Sequence, residues 1–126
     1  MKKLLITLVF LFIPIISFSQ SFLRAYDLNI GYKNSYGKIE WAPESTPVNI
    51  LIKAESSKVT IFSKRTQIYR VVSLLEQTET KSKWLCNDDN GVTCHVFIFT
   101  LETKPGIIFV GVEYNDMTWF YSTTAE

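Results

Sequence analysis

Residues 81–122 read KSKWLCNDDNGVTCHVFIFTLETKPGIIFVGVEYNDMTWFYS. Three turn signatures cut this stretch into short segments: Asn90-Gly91, Lys104-Pro105-Gly106 and Asn115-Asp116. Asn and Gly tolerate the positive φ that tight hairpins require, so Asn90-Gly91 joins antiparallel strands directly, and Asn115-Asp116 has the length of a two-residue hairpin. The segments 81–87, 92–101, 107–114 and 117–122 are built mainly from Val, Ile, Thr, Phe and Tyr, side chains that fit a pleated sheet. Connections this short leave no room for crossover helices, which argues against a parallel sheet.

Upstream the period of two continues. Val48, Ile50 and Ile52 alternate with Asn49, Leu51 and Lys53, as in a strand with one face in a core, and Val59 and Ile61 resume the pattern after the turn Glu55-Ser56-Ser57. Residues 66–77 carry apolar side chains on both faces, so this strand is expected to be central and covered on each side. Two further strands are expected near residues 22–30 and 38–41, with a Gly/Asn/Ser loop between them. The resulting fold class is all-β: a single antiparallel meander of about seven to nine strands, closed into a small barrel or folded as a two-layer sandwich.

Before this domain, Lys2 and Lys3 precede an uncharged apolar run from Leu4 to Ile16, and Ser17-Phe18-Ser19 places small residues where a signal peptidase reads. The run is shorter than the roughly 20 residues a membrane-spanning helix needs, and Pro14 interrupts it. Residues 1–19 are therefore expected to be a cleavable signal peptide and residues 20–126 a single β-rich domain. The expected location is the periplasm or the extracellular space, with no membrane span after cleavage. No cysteine stands at the cleavage site to carry a lipid.

Of the 13 basic residues, Lys2 and Lys3 leave with the export segment, so 11 remain against 12 acidic ones. A surface so close to neutral gives no electrostatic reason to expect nucleic acid as a partner. The small basic cluster of Lys64, Arg65 and Arg70 reads as a solvated strand end.

Cys86 and Cys94 flank the turn at residues 87–91. If Asp89-Asn90-Gly91 is a three-residue loop, the register opposes Asp88 to Val92, Asn87 to Thr93 and Cys86 to Cys94. At a non-hydrogen-bonded site that juxtaposition suits a disulfide, and in an oxidising compartment such a pair closes. Seven intervening residues are not the spacing of a redox motif, and further metal ligands are missing. The same turn gathers oxygens, but it lacks the spacing of a calcium loop, and turn chemistry explains its composition.

Catalytic constellations are sparse. His95 is the only histidine, and it shares a strand face with Phe97 and Phe99. There is no nucleophile-elbow serine and no phosphate loop. A glycosidase needs two carboxylates across a cleft, and Glu40, Glu76, Glu102 and Glu113 would have to be brought together by folding. No cofactor is implied. The aromatic residues are the better candidates for function. In the terminal hairpin Met117, Trp119 and Tyr121 alternate with Thr118 and Phe120, so one row fills the core and the other is free for contact. Trp84, Tyr114, Trp119 and Tyr121 are the candidate contacts for a partner protein, a glycan or a small hydrophobic ligand. The leading expectation is a non-catalytic binding or interaction module. The alternatives are a small hydrophobic-ligand carrier using the barrel interior and, behind it, a small hydrolase.

The segments 58–64, Trp84-Leu85-Cys86 with Asp89-Asn90-Gly91 and Cys94, and the run 112–116 resemble a group of small exported proteins from Bacteroidota-type bacteria, as does the leader ending Ser-Phe-Ser-Gln. The resemblance spans residues 48–121. It implies bacterial origin and export, and brings no activity or site residue with it. In strand order the chain is also similar to lipocalin-type barrels, although the Gly-x-Trp signature of that family's first strand is not found: Gly37 and Trp41 are spaced too far apart.

Overall fold

The computed structural model describes residues 20–126, so the expected export segment at 1–19 lies outside the described residues. The described residues form nine strands: β1 (Gln20–Lys33), β2 (Ile39–Trp41), β3 (Thr46–Glu55), β4 (Lys58–Phe62), β5 (Gln67–Gln77), β6 (Lys81–Asn87), β7 (Thr93–Phe99), β8 (Ile108–Glu113) and β9 (Met117–Ala125). The order is β2-β1-β3-β4-β5-β6-β7-β8-β9 with β1 also paired to β9, and every pairing is antiparallel. The sheet therefore closes into an eight-stranded barrel, with β2 as an extra strand on β1.

Closure depends on β1. Its first part pairs with β3 on one edge, while its other edge runs along β9 from Leu23↔Ala125 to Tyr32↔Met117. Both ladders shift register between Ala25 and Asp27, leaving Tyr26 as the extra residue of a bulge. A bulge bends a strand and raises its twist, which lets one long strand serve both edges of a closing sheet. Past Leu28 the β3 edge of β1 is taken over by β2, through Gly31↔Trp41 and Lys33↔Ile39.

The turns follow their chemistry. Gly91 and Gly106 have φ of 78° and 81°, values at which a Cβ is strained. The Asp88 N–H donates to the Val92 carbonyl, and the Tyr114 N–H donates to the Met117 carbonyl, closing the two hairpins at the expected residues. Asn34 caps the β1–β2 turn, its Oδ1 accepting from the backbone of Tyr36 and Lys38.

Alternation puts Leu23, Ile52, Ile61, Val96, Val110 and Val112 inside, where they meet Tyr69, Tyr121 and the two cysteines in one cluster. Burying side chains of this size stabilises by about 1.5–3 kcal/mol each. Residues 66–77 depart from expectation. Residues 67–70 pair with β4 and residues 70–77 with β6, so Arg70 alone has a partner on both sides and beyond it β5 pairs with β6 alone. Val72, Leu74 and Leu75 are about half exposed, so the strand is not covered on both sides. The reason is the length of β4, which begins only at Lys58 opposite Arg70 and provides no neighbour further along. Two register shifts in this stretch twist the free edge.

Candidate functional site

Cys86 and Cys94 are directly opposed, with Asn87 opposite Thr93, as the turn length requires. Both are buried free thiols, so the structure carries no disulfide between them. The Asp88–Val92 bond sets the phase of the ladder, and alternation from it places the two cysteines at a hydrogen-bonded position rather than the non-hydrogen-bonded one expected. Burial pushes the Cys86 thiol up to about 12 and the Cys94 thiol up to about 11, so both are protonated at neutral pH.

The four aromatics singled out from the sequence point inward. Tyr121 is 3% exposed, and Trp84, Tyr114 and Trp119 pack against the core. Tyr114 stacks on Trp119 with ring centroids 5.6 Å apart and donates its hydroxyl to Asp88 Oδ2 at 2.7 Å. Desolvation, followed by that bond to Asp88, raises the Tyr114 phenol. Asp88 Oδ1 accepts from the Asn90 and Val92 N–H groups, so one carboxylate oxygen holds the turn and the other holds Tyr114. Asp89 pairs with Arg70 at 3.1 Å.

The opposite rows form a different site. Phe97, Phe99 and Phe120 alternate with core residues and so face outward, and the register aligns Phe97 with Gly111 and Gly111 with Phe120. Phe99 stacks on Phe109 at 4.9 Å, and Phe109 meets Phe120 edge-on at 5.9 Å. Trp41, brought in by β2, meets Phe120 edge-on at 5.3 Å. Two glycines make room for these rings. A Cβ at Gly111 would enter the Phe97 ring, and one at Gly31 would lie 2.5 Å from the Ile39 side chain and 2.8 Å from the Trp41 ring. The result is a groove of about 500 Å³ on the outside of the barrel.

Its polar groups are few. Lys81 and Lys83 stand on β6, and Glu113 lies on β8. Glu113 Oε1 is 3.5 Å from Lys83 Nζ and 3.2 Å from His95 Nδ1. Burial pushes the Glu113 carboxyl up, but the His95 and Lys83 contacts outweigh it and hold the group below its ordinary value. Lys81 Nζ is 3.6 Å from Glu76 Oε1, at the exposed end of β5. Thr118 lines the groove, is 6% exposed, and its hydroxyl has no hydrogen-bond partner. Asn29 Oδ1, in the same outward row as Phe120, is likewise buried and unpartnered. Of the four glutamates weighed as carboxylate pairs, only Glu113 reaches the groove: Glu40 bonds Asn34 and Glu76 bonds Lys81.

The sequence drew attention to the inward aromatic row, whereas the outward one is Trp41, Phe97, Phe99 and Phe120, of which Trp41 is exposed and the three Phe rings are half-buried. The available signal was the pair of glycines inside strands, since a strand glycine marks a place where another group approaches closely. Fold and site together define a small closed antiparallel barrel with a packed interior core and an aromatic groove on its outer wall. No protein-family model, curated protein or solved structure matches the chain.

Proposed function

We propose that this is an exported, non-catalytic binding module whose contact surface is the outer-face groove of Trp41, Phe97, Phe99 and Phe120. The observation that carries the reading is the division of apolar side chains between two places. One set meets inside the barrel as a continuous core, and the second lies outside it around a groove of about 500 Å³. Ligand sites typically have that volume, an apolar lining and a small number of placed polar groups. A contiguous outward aromatic surface costs solubility, so its presence favours contact with something else. The occupied interior speaks for the outer wall over the barrel lumen as the site of contact. In the oxidising compartment to which the leader directs the chain, Cys86 and Cys94 close into a disulfide by side-chain rotation, their two electrons passing to a disulfide oxidant there. The Cα spacing of a hydrogen-bonded pair, about 5.5 Å, lies within the range a disulfide spans.

The test is retention of envelope components on the immobilised protein, comparing the wild type with Trp41→Ser/Phe99→Ser. Groove-dependent retention is the expected result. Equal retention by both forms overturns the assignment of the surface. A catalytic turnover that Glu113→Gln abolishes overturns the non-catalytic reading.

A further inference from the structure

The groove has one chemical asymmetry. Its floor is ring surface from β7 and β9, and its β2 side is Trp41 and Ile39, while the β6 side carries Lys81 and Lys83. Among its lining residues cations outnumber anions two to one, and the single anion, Glu113, is already shared between Lys83 and His95. The carboxylate nearest Lys81 belongs to Glu76, at the exposed end of β5 and outside the lining. An ammonium offers three donors, so both lysines retain capacity for a further acceptor.

The occupant's body must also match. An extended peptide brings a main-chain donor and acceptor with every residue, each of which needs a partner once buried. The groove lies on a sheet face, where β7, β8 and β9 are paired on both sides and present no free ladder. A sugar brings hydroxyls all around its ring, and the aromatic surface of the floor offers them no partner. Hydrocarbon asks for nothing beyond ring surface.

Building on the groove as the contact surface, we propose that it takes a monomeric anionic amphiphile of the long-chain carboxylate class. The hydrocarbon lies on Phe97, Phe99, Phe120 and Trp41, and the carboxylate sits between Lys81 and Lys83. Because Trp41 is 44% exposed and lines the groove, its fluorescence reports occupancy, whereas Trp84 and Trp119 pack against the core.

The experiment uses the chain expressed with its own leader and purified from the compartment that receives it. Decanoate, decanol and decyltrimethylammonium, each below its micelle concentration, are titrated by calorimetry and by the emission difference between wild type and Trp41→Phe. Decanoate should bind about tenfold tighter than either of the others, the size of one charge-assisted hydrogen bond. Each added methylene, from octanoate to dodecanoate, should tighten binding about fourfold. In Lys81→Gln/Lys83→Gln, whose changes lie at partly exposed side chains, the preference for the anion should vanish while decanol binding persists. Equal affinity for the three heads, or an anion preference surviving in the double variant, overturns the head assignment and leaves the groove as the contact surface. No binding of any amphiphile, together with groove-dependent retention of envelope components, overturns the amphiphile inference alone. No binding and no retention removes both.

Discussion

The ring of Phe97 lies across Gly111, in the space any side chain at position 111 would need. On the neighbouring strand Phe120 is opposite the same glycine, and Phe109 joins the rings of Phe99 and Phe120 beside it. One missing Cβ thus decides the shape of the outer wall.

Gly111→Ala should therefore displace Phe97 and destabilise the fold by about 1–3 kcal/mol, the range for overpacking a fitted contact. Gly111 is not among the glycines with a positive φ, so the cost is steric. Gly91→Ala, with φ of 78° and open space around it, is the contrasting case, in which backbone strain acts alone. Urea unfolding measures both. The Gly111 variant alone should also change Trp41 emission, through the ring network from Phe97 to Phe120.

In the reduced protein the cysteines make stability depend on alkaline pH. Burial raises both thiols from an ordinary value of 9.0, to about 12 for Cys86 and about 11 for Cys94. A group raised on folding leaves stability intact below its unfolded value and removes it as pH climbs towards the folded one. The urea midpoint should hold up to about pH 8.5 and then decline towards pH 11. A disulfide-bonded chain, or Cys86→Ser/Cys94→Ser, should lack this component. Alkylation at neutral pH should be slow until denaturant is added, since the thiolate is the nucleophile.

The Glu113 cluster should act in the opposite direction. A carboxyl held below its ordinary value contributes stability above the unfolded pKa and loses it as pH falls through the folded one. With side chains 27–40% exposed, the cluster should contribute below about 1 kcal/mol. Glu113→Gln should match the wild type in thermal unfolding at acid pH and fall slightly behind at neutral pH, with the gap narrowing in high salt.

The two halves of β5 should separate in hydrogen exchange. Amides past Val71 lack a β4 partner and should exchange well before those of β8, which is paired on both sides. Leu75→Ser should leave stability within about 0.5 kcal/mol, as substitutions at exposed sites do. Ile52→Ala, at a fully buried position, should cost about 2–5 kcal/mol.

The sequence by itself determined what depends on near neighbours. Period-two alternation and the chemistry of Asn90-Gly91, Lys104-Pro105-Gly106 and Asn115-Asp116 gave the strands, the antiparallel order and the opposition of Cys86 to Cys94. Each of these is settled within a few residues, because a turn fixes the register of the strands it joins. The same alternation separated Trp119 and Tyr121 from Phe120, but not which row would face the core. Only closure of β1 onto β9 defined an inside, put Trp84, Tyr114, Trp119 and Tyr121 there, and left Phe97, Phe99 and Phe120 on the outer wall. The short reach of β4 exposed half of β5, although its residues are apolar on both faces. Trp41 joined the site through β2, which pairs with β1 past the point where β3 ends. Which face is buried, and which strand lacks a neighbour, depend on contacts between residues far apart in sequence, and local propensity carries no record of them.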